Sequence, residues 1–372
     1  MRGPEARPIV VAAGGTGGHF FPAEALASAL MRRGQWVVLM TDARSGALNS
    51  TVFDPRDVYV LPGAGIAGRG AARAAKAVFA LGVGVARARG ILNRLRPAAV
   101  VALGGYPSVP PVLAARLARP RPPAILHEQN AVLGRANRFL SRHAATLALS
   151  FAATSRVPSG VPTEVTGNPV RPAVAALIDA AYAAPGEGPI RLLVLGGSLG
   201  ARVFSDVVPP ALIALPESLR TRLRVTQQCR EEDLARVREA YATAGIAADL
   251  APFFADVAGL LRDAHLTVAR AGASTVAELA IVGRPAILVP LPGAIDDHQT
   301  ANARALAEAG GAWVVPQPTF AAATLTERLA MLLPDDAALA HAATGARSVA
   351  RQGAAAALAD LVEQFARQEV ST

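Results

Sequence analysis

The sequence predicts an α/β protein with two domains, each built on a parallel sheet, and three observations support that prediction. Short apolar runs alternate with longer segments of helical periodicity along the 372 residues. A glycine-rich turn follows one such run at residues 14–18, and a second follows another run at residues 196–200. Runs such as 99–102 and 286–289 are apolar at every position, which is typical of parallel strands that helices cover on both faces.

Thirteen segments have the length and composition of strands, and they divide into two series. The first series is expected at residues 8–13, 35–41, 57–61, 98–102, 123–127, 145–149 and 163–165, and the second at residues 190–195, 222–227, 247–251, 265–269, 285–289 and 312–315. A helix is expected at residues 22–33, because Pro22 suits a first helical turn and Gly34 suits the position after the last turn.

The boundary between the two domains is expected in the segment Gly-Asn-Pro-Val-Arg-Pro at residues 167–172. Two prolines three residues apart stiffen a connection and stop a helix. We therefore place an N-terminal domain at residues 1–168 and a C-terminal domain at residues 169–345, and we expect the end of the chain to be helical.

The composition limits the class of protein. An apolar fraction of 52% and a charged fraction of 17% allow two large cores and exclude a disordered chain. The net charge of +9 favours anionic partners, which include nucleic acids, acidic lipid surfaces and phosphorylated substrates. The single cysteine, Cys229, excludes an intrachain disulfide, fits a reducing cytoplasm and is expected to be buried and inert. Because no apolar run reaches about 18 residues, any contact with a membrane is expected to be peripheral.

The first glycine turn leads directly into His19. A glycine loop between a strand and a helix lets backbone N–H groups approach a phosphate. The spacing of residues 14–18 matches neither the G-x-G-x-x-G pattern nor a P-loop, although Asp42 after the second strand leaves a dinucleotide site open. His19 is either a polar residue satisfied near the start of a helix or a general base, because imidazole titrates near neutral pH.

Polar side chains follow two other predicted strands of the first domain. They lie in the segments LGGYPS and HEQN and include Tyr106, Glu128, Gln129 and Asn130. Both segments are expected at the carboxyl edge of the sheet, where ligands bind in open α/β folds. Turn formation and capping would explain these residues without a ligand, although the HEQN run has more polar side chains than a turn requires.

Two clusters in the second domain are candidates for binding a nucleoside diphosphate. Segment 270–278 follows a predicted strand, and its Thr275-x-x-Glu278 spacing matches a capping box, which would be purely structural. Alternatively, the helix N-terminus receives a diphosphate and Glu278 accepts hydrogen bonds from ribose hydroxyls. Farther along, Gln299 and Asn302 are three residues apart and are expected on one face of a helix, where they could contact a hexose or its phosphates.

The sequence has no D-x-D motif and no Cys or His cluster with metal-ligand spacing. We therefore expect no obligatory metal ion and no other cofactor. Helix dipoles and backbone N–H groups would have to balance the charge of a bound diphosphate.

A basic and apolar stretch occupies residues 64–96. Its basic residues Arg69, Arg73 and Lys76 and its apolar residues Val78, Leu81 and Val85 both recur at helical spacing. The stretch could be an interfacial surface for anionic lipid head groups, or a surface helix with a solvated basic face.

Seven motifs occur in order along the chain, and together they are far more specific than any one of them. They are GGTGGHFFPAEALA, LGGYPSVPP, HEQNAVLGRAN, TGNPVRP, LGGSLGA, RAGASTVAELA and DDHQTANA. This series closely resembles the MurG family, whose members transfer N-acetylglucosamine from its UDP derivative to lipid-linked N-acetylmuramyl-pentapeptide in bacterial peptidoglycan synthesis. The resemblance runs from about residue 9 to beyond residue 315.

The resemblance implies a GT-B fold, in which two Rossmann-like parallel-sheet domains face a central cleft and a C-terminal helix, about residues 346–372 here, packs back on the first domain. It implies an inverting transfer of the sugar to the 4-hydroxyl of the muramyl residue of undecaprenyl-diphosphate-linked muramyl-pentapeptide. It further implies a peripheral position on the cytoplasmic face of the plasma membrane, with an anionic membrane surface and other cell-wall synthesis proteins as candidate partners.

The resemblance also implies roles for single residues. His19 would face the acceptor hydroxyl as the catalytic base, with Glu128 as the alternative base and Tyr106 on the acceptor side. Asn302 would support the helix that carries Gln299. The residues implied for binding the UDP-sugar are Thr16, Gly17, Gly18, Asn130, Arg171, Ser198, Phe254, Ala273, Ser274, Thr275, Glu278 and Gln299. Phe254 departs from the family, since many relatives have an aliphatic residue at that position, and we expect its contact to be made by the backbone.

Several other functions stay open at this level. A UDP-N-acetylglucosamine 2-epimerase would share the fold and the donor but would need no lipid acceptor. An NAD-dependent oxidoreductase has support only from the first glycine turn and Asp42, and a non-catalytic membrane scaffold would not need His19. We expect no nucleic-acid partner, because four tyrosines and two tryptophans offer little surface for stacking bases.

Overall fold

The computed structural model describes residues 7–14, 17–43, 50–62, 71–197 and 200–368. The chain forms two compact units. The first unit comprises residues 1–171 and 353–372, and the second comprises residues 172–352. The division therefore lies three residues beyond the expected boundary after residue 168, and the chain returns to the first unit at Gly353 rather than at about residue 346.

Thirteen strands are present in the described part of the chain, and each pairs with its neighbours in parallel. They are β1 Ile9–Ala12, β2 Val37–Asp42, β3 Val58–Leu61, β4 Ala99–Ala102, β5 Ala124–Glu128, β6 Thr146–Leu149, β7 Thr163–Val165, β8 Ile190–Leu195, β9 Leu223–Gln228, β10 Ala247–Ala251, β11 Leu266–Ala269, β12 Ala286–Leu288 and β13 Ala312–Val314. All thirteen predicted strands are confirmed, with ends that move by no more than two residues.

Fourteen helices accompany these strands within the described residues. They are α1 Gly17–Arg32, α2 Ala71–Leu95, α3 Val109–Leu117, α4 Arg135–Leu140, α5 Pro172–Ala175, α6 Arg202–Ile213, α7 Glu217–Arg220, α8 Leu234–Thr243, α9 Val257–Asp263, α10 Ala273–Val282, α11 His298–Glu308, α12 Ala322–Leu332, α13 Asp336–Ser348 and α14 Ala354–Gln368.

The sheet of the first unit has the order β3-β2-β1-β4-β5-β6-β7, and that of the second unit has the order β10-β9-β8-β11-β12-β13. In both sheets the chain starts in the middle, extends to one side and then resumes on the other side. The loops at the carboxyl ends of β1 and β4, and those of β8 and β11, therefore lie at the points where strand order reverses, the usual ligand-binding position in such sheets.

Helices cover both faces of the first sheet. On one face α1 and α14 share a core with the strands, and Phe20, Leu26, Leu358 and Val362 are buried in it. Arg33, just after α1, forms ion pairs with Asp360 at 2.7 Å and Glu363 at 3.2 Å on α14. The C-terminal helix is thus part of the first unit, although α13 before it stays in the second unit.

The start of α1 corrects the sequence prediction, because the helix begins at Gly17 and not at residue 22. Pro22 lies inside the helix, where its missing N–H removes one hydrogen bond, which would have gone to the carbonyl of Gly18. One bond is too little to delay the start of the helix. His19 is consequently the third residue of α1 rather than a residue of the preceding loop.

The residues Val78, Leu81 and Val85, which recur at helical spacing in the sequence, all lie on α2. Leu81 and Val85 pack against the core, but Val78 is 69% exposed. Phe79 is exposed as well, at 73%. Arg69 lies outside the described residues, and Arg73 lies in the first turn of α2. No helix among the described residues has both the length and the apolar character needed to cross a membrane.

The core of the second unit is formed by the strands and the helices that flank them, with Phe204, Val208, Leu266 and Ile287 among its fully buried residues. Cys229 belongs to this core and is 1% exposed, as the sequence predicts. Burial raises the pKa of its thiol, which is the protonation behaviour of an inert cysteine.

Candidate active site

The polar residues predicted at the edge of the first sheet follow three neighbouring strands. His19 lies in the first turn of α1, after β1, and Gly104 and Gly105 follow β4. The segment 127–130 forms the end of β5 and the residues after it. Since the order is β1-β4-β5 and all three strands are parallel, their carboxyl ends bring these residues to one place.

The imidazole of His19 packs on the backbone of two glycines. Gly104 has φ +87° and Gly105 has φ +70°, values that favour glycine. A Cβ atom on Gly104 would lie 3.5 Å from Nδ1 of His19, and one on Gly105 would lie 3.4 Å from Cδ2 and 3.5 Å from Nε2. Buried Ser108 donates to the carbonyl of Gly104 at 2.7 Å and fixes this turn. The glycines therefore provide the surface on which the ring lies.

A chain of hydrogen bonds runs inward from His19. Its Nδ1 lies 3.0 Å from Oε1 of Gln129. The amide nitrogen of Gln129 donates to the carbonyl of Leu103 at 2.7 Å and lies 3.1 Å from Nδ1 of His127. The other ring nitrogen of His127, Nε2, lies 2.9 Å from the carbonyl oxygen of Gly167.

His127 is fully buried, and burial lowers its pKa from 6.5 to about 4. A neutral imidazole has one N–H and one lone pair. Because a carbonyl oxygen only accepts, the N–H of His127 is at Nε2. Gln129, at 1% exposure, is held by the groups around it and presents its oxygen to His19.

Glu128 has a different environment from His19. It is 2% exposed, and its carboxylate accepts four hydrogen bonds. Oε1 accepts from the backbone and side-chain nitrogens of Asn130 at 3.0 and 2.9 Å, and Oε2 accepts from the Gly134 backbone and from Asn137 Nδ2, each at 2.9 Å. A carboxylate has about four lone-pair positions, so all of them are engaged. The side chain organises the segment from Asn130 to Asn137, which includes the first turn of α4.

The remaining predicted residues of the first unit lie around this edge. Tyr106 begins a short helical turn after Gly105 and is half-buried. The guanidinium of Arg171 lies 5.2 Å from the ring centroid of Phe21, two residues after His19, within cation–π distance. Gly17 and Gly18 are the first two residues of α1, and Thr16 lies outside the described residues.

The glycine turn after β8 is tightly built. A Cβ atom on Gly196 would lie 2.5 Å from the backbone nitrogen of Ala201, so the turn closes only around glycine. The N–H of Gly196 donates to Oε1 of Gln228 at 3.1 Å. Gly197 and Gly200 have φ values of +82° and +66°. Ser198, the predicted phosphate contact, lies outside the described residues.

The helix after β11 excludes the capping-box alternative. α10 begins at Ala273 with Gly272 as its N-cap, and no side chain caps it. Thr275 is therefore the third residue of the helix, and Glu278 is the sixth. The backbone N–H groups of the first helical turn lack partners within the helix, which makes this end suitable for an anion. Glu278 is 6% exposed.

Gln299 and Asn302 both lie on α11, as predicted, and both reach other loops at the edge of the sheet. Gln299 Oε1 accepts from the backbone N–H of Leu291 at 2.9 Å, which directs its amide nitrogen elsewhere. Asn302, fully buried, donates to the carbonyl of Ala271 at 3.1 Å. The helix follows Asp296 and Asp297, whose φ values of +57° and +54° are strained for residues with side chains.

Arg270, the first residue of the segment 270–278, has a structural role in this site that the sequence did not predict. It is 8% exposed, and its guanidinium donates to the carbonyls of Val289 and Pro290 at 3.1 and 3.2 Å and to Gln317 at 2.6 Å. Burial lowers its pKa. It joins the end of β11 to the loop after β12. An arginine at the end of a buried strand is the signal that could have identified it.

Phe254 lies in the loop after β10 and is half-buried. β9 and β8 separate β10 from β11, the strand that precedes α10. No group of three or more metal-ligating side chains occurs within the ranges that the structure describes.

Comparison with known proteins gives the family. The model of the Glycosyltransferase family 28 N-terminal domain matches residues 9–149, and that of the C-terminal domain matches residues 191–364. The chain is 66% identical, over 96% of its length and 94% of the relative's, to the UDP-N-acetylglucosamine–N-acetylmuramyl-(pentapeptide) pyrophosphoryl-undecaprenol N-acetylglucosamine transferase of Granulibacter bethesdensis. The protein of the same name from Gluconobacter oxydans is 53% identical over 97% of this chain and 99% of the relative.

Solved structures agree with this family. The crystal structure of Acinetobacter baumannii MurG superimposes with a TM-score of 0.74 at 31% identity, covering 96% of this chain and 99% of that chain. A putative UDP-N-acetylglucosamine 2-epimerase from Listeria monocytogenes has a TM-score of 0.64 at 16% identity over 94% of each chain, a likeness of fold alone. The chain belongs to the MurG family of UDP-N-acetylglucosamine–N-acetylmuramyl-(pentapeptide) pyrophosphoryl-undecaprenol N-acetylglucosamine transferases, within glycosyltransferase family 28.

Proposed function

We propose that this chain transfers N-acetylglucosamine from UDP-N-acetylglucosamine to the 4-hydroxyl of the muramyl sugar of undecaprenyl-diphosphate-linked muramyl-pentapeptide, with inversion at the anomeric carbon. The substrates are those in the names of its close relatives. The observation that carries the chemical part of the proposal is the placement of His19. Its ring lies on Gly104 and Gly105, at the edge of the sheet where ligands bind, with one nitrogen tied to Gln129.

His19 is the general base in this proposal. Its Nε2 takes the proton of the muramyl 4-hydroxyl as the oxygen forms a bond to the anomeric carbon of N-acetylglucosamine. The bond from that carbon to the diphosphate oxygen breaks, and its electron pair leaves with UDP. Attack on the face opposite the leaving group converts the α-linked donor into a β-linked product.

Glu128 is the less suitable base. Its carboxylate is buried and already accepts four hydrogen bonds from Asn130, Gly134 and Asn137. Taking a proton would break part of this set and leave donors unsatisfied, at about 1–3 kcal/mol each. We assign Glu128 the role of holding the loop that carries Asn130, which remains a candidate contact of the donor.

The second unit supplies the groups for UDP. The first turn of α10, at Ala273, Ser274 and Thr275, offers backbone N–H groups and the positive end of a helix dipole to the developing charge of the leaving diphosphate. Glu278, one turn farther along α10, is the proposed acceptor of hydrogen bonds from the ribose. Gln299 has its oxygen engaged by Leu291, so its amide nitrogen is available to donate to the sugar. Thr16, Gly17, Gly18, Arg171, Ser198 and Phe254 are further proposed contacts of the donor, and Tyr106 is proposed on the acceptor side.

A peripheral contact with the anionic cytoplasmic face of the plasma membrane completes the proposal, because the acceptor is a lipid. Phe79 and Val83, 73% and 42% exposed, lie four residues apart on α2 and therefore share one stripe of the helix. Lys76 and Arg87 extend the same stripe and are exposed. An apolar stripe with basic ends suits the boundary between acyl chains and anionic head groups.

The test is UDP release from UDP-N-acetylglucosamine in the presence of EDTA, with and without a lipid-diphosphate muramyl-pentapeptide. We expect release only with the acceptor, together with a β-linked disaccharide on the lipid. Release that does not need the acceptor would overturn the proposal in favour of an epimerase. No release under either condition would favour a scaffold.

A further inference from the structure

His127 and Gln129 form a buried pair that the proposed chemistry does not use. Their side chains are 0% and 1% exposed, although both are polar and lie directly behind the candidate base. Turn formation and capping do not require them, since neither side chain caps a helix. Their partners are the carbonyls of Leu103 and Gly167, each other, and His19.

The positions of the protons in this pair follow from groups that can only accept. The Gly167 carbonyl requires a proton on Nε2 of His127. In the neutral ring Nδ1 is then an acceptor, and it takes one N–H of Gln129. The Leu103 carbonyl takes the other N–H. Both amide hydrogens are thereby directed away from His19, and the amide cannot rotate by half a turn without placing its oxygen against two acceptors.

The oxygen of Gln129 accordingly faces Nδ1 of His19 at 3.0 Å, and an oxygen accepts only from a protonated nitrogen. A neutral imidazole with a proton on Nδ1 has its lone pair on Nε2. Gly105 lies beside that nitrogen, where a Cβ atom would come within 3.5 Å. Because Gly105 has no side chain, no Cβ atom lies against Nε2 on this side of the ring.

We infer that Gln129 and His127 are positioning residues that set the tautomer of His19, so that the neutral ring always presents its lone pair at Nε2. Neither residue touches the substrate in this inference, and both act through His19. Only the expected effect of these two residues on the reaction rate rests on the proposed role of His19 as the base. The tautomer itself is a property of the free protein and can be measured without substrate.

The first test is ¹⁵N NMR of the protein labelled at its six histidines, at a pH where His19 is neutral. The two nitrogens of a neutral ring differ strongly in chemical shift according to which one has the proton. The His19 signals are identified by their loss in His19→Gln. We expect a protonated Nδ1 and an unprotonated Nε2. The opposite tautomer, or a mixture of both, would overturn the inference.

The second test compares Gln129→Leu with the wild type. Leucine removes the acceptor, so the ring of His19 is expected to populate both tautomers and kcat to fall by roughly 10- to 100-fold, as when other hydrogen bonds that orient an imidazole are removed. The KM for UDP-N-acetylglucosamine should change by less than about twofold, because the donor is bound by other residues. An unchanged kcat with an unchanged NMR tautomer would overturn the inference.

Two further variants separate this inference from a general loss of structure. Gln227→Leu removes another buried amide, in β9 of the second unit, and is expected to leave the His19 tautomer unchanged. His127→Phe should lower kcat less than Gln129→Leu, because the Leu103 carbonyl still holds the amide. In a His19→Ala background, Gln129→Leu should cause no further loss of kcat, since residues that act as a unit are not additive.

The outcomes for the two proposals are distinguishable. If His19→Ala keeps full activity while NMR shows the expected tautomer, the proposed base is wrong and the positioning of the ring stands. If His19→Ala is inactive while Gln129→Leu keeps both kcat and tautomer, the base stands and the positioning is wrong.

Discussion

Asn302 donates a hydrogen bond of 3.1 Å from its side-chain nitrogen to the backbone carbonyl of Ala271, and both residues are fully buried. This bond joins α11 to the turn that leads into α10. One side chain therefore links the two helices that carry the proposed ribose and sugar contacts. A change at Asn302 is therefore expected to move α10 and Gln299 relative to each other.

Asn302→Ala should consequently weaken donor binding without removing any proposed donor contact. The carbonyl of Ala271 would lose a partner while buried, which costs about 1–3 kcal/mol of stability. We expect the KM for UDP-N-acetylglucosamine to rise by roughly tenfold, with a smaller change in kcat. Thr344→Ala, which removes an exposed hydroxyl that bonds the Ala340 carbonyl on α13, should change neither constant. An unchanged KM in Asn302→Ala would show that the two helices are positioned by other contacts.

Gly105→Ala tests the surface on which His19 lies. The alanine at position 105 would have to adopt a φ of +70°. Its methyl group would contact Cδ2 and Nε2 of the His19 ring at 3.4 and 3.5 Å. Gly34→Ala is a control for a positive φ without the contact, because its φ is +79° but nothing lies within 4 Å of its Cβ position. Both variants should lose stability from backbone strain, and Gly105→Ala should lose the more, because its φ of +70° is combined with a ψ of 175°, a conformation almost restricted to glycine.

Only Gly105→Ala should lower kcat, because only there does the added group contact the ring and narrow access to Nε2. Rates at saturating substrate and urea unfolding curves of the two variants provide the comparison. Equal kcat values for Gly105→Ala and Gly34→Ala would contradict the proposed exposure of Nε2.

The buried ring of His127 makes the stability of the first unit depend on pH. Its pKa is lowered from 6.5 to about 4, so the unfolded chain binds the proton more tightly than the folded one. The contribution of neutral His127 to the free energy of unfolding is complete above pH 6.5, and it is lost as the pH falls toward 4. Its contribution to the free energy of unfolding should drop by about 2 kcal/mol between pH 7 and pH 5.

The measurement uses the two tryptophans of the chain, of which Trp36 is in the first unit and Trp313 is in the second. In a Trp313→Phe background, the fluorescence of Trp36 reports urea unfolding of the first unit. His127→Phe in the same background should show a smaller loss between pH 7 and pH 5. An identical loss in both proteins would show that His127 is not the source.

Phe79 should contribute to binding at anionic membranes. Phe79→Glu removes an apolar ring and adds a negative charge, and we expect binding to phosphatidylglycerol-containing vesicles to weaken by roughly 10-fold or more. Met331→Glu is the control, since Met331 is 67% exposed on α12 of the second unit. Sedimentation with vesicles measures both. Equal binding of the two variants would exclude the α2 stripe as the membrane contact.

The strands and the glycine turns could be predicted because their signals are local. The run Ala99–Ala102 is buried on both faces of the sheet, and its fully apolar composition predicts this burial. The seven motifs then indicated the family, and the parallel order of the strands followed from the alternation of strands and helices.

The features that the sequence missed depend on tertiary neighbours. The start of α1 was predicted from Pro22, but one missing hydrogen bond did not outweigh the rest of the helix. Thr275 and Glu278 have the spacing of a capping box, but Thr275 is not the N-cap residue, because the helix starts at Ala273. The role of Gln129 depends on three groups that are 26, 2 and 110 residues away in sequence, so no local pattern could reveal it.

The most direct test of the central claim is the single-turnover rate of His19→Ala at saturating donor and acceptor, beside that of Glu128→Gln. We predict that His19→Ala loses roughly 10²- to 10⁴-fold in the rate of the chemical step, the usual contribution of a general base. Glu128→Gln should mainly lower the free energy of unfolding. The rate of the chemical step in its folded molecules should fall less than in His19→Ala. A near-normal rate in His19→Ala, with the larger loss in folded Glu128→Gln, would contradict the account.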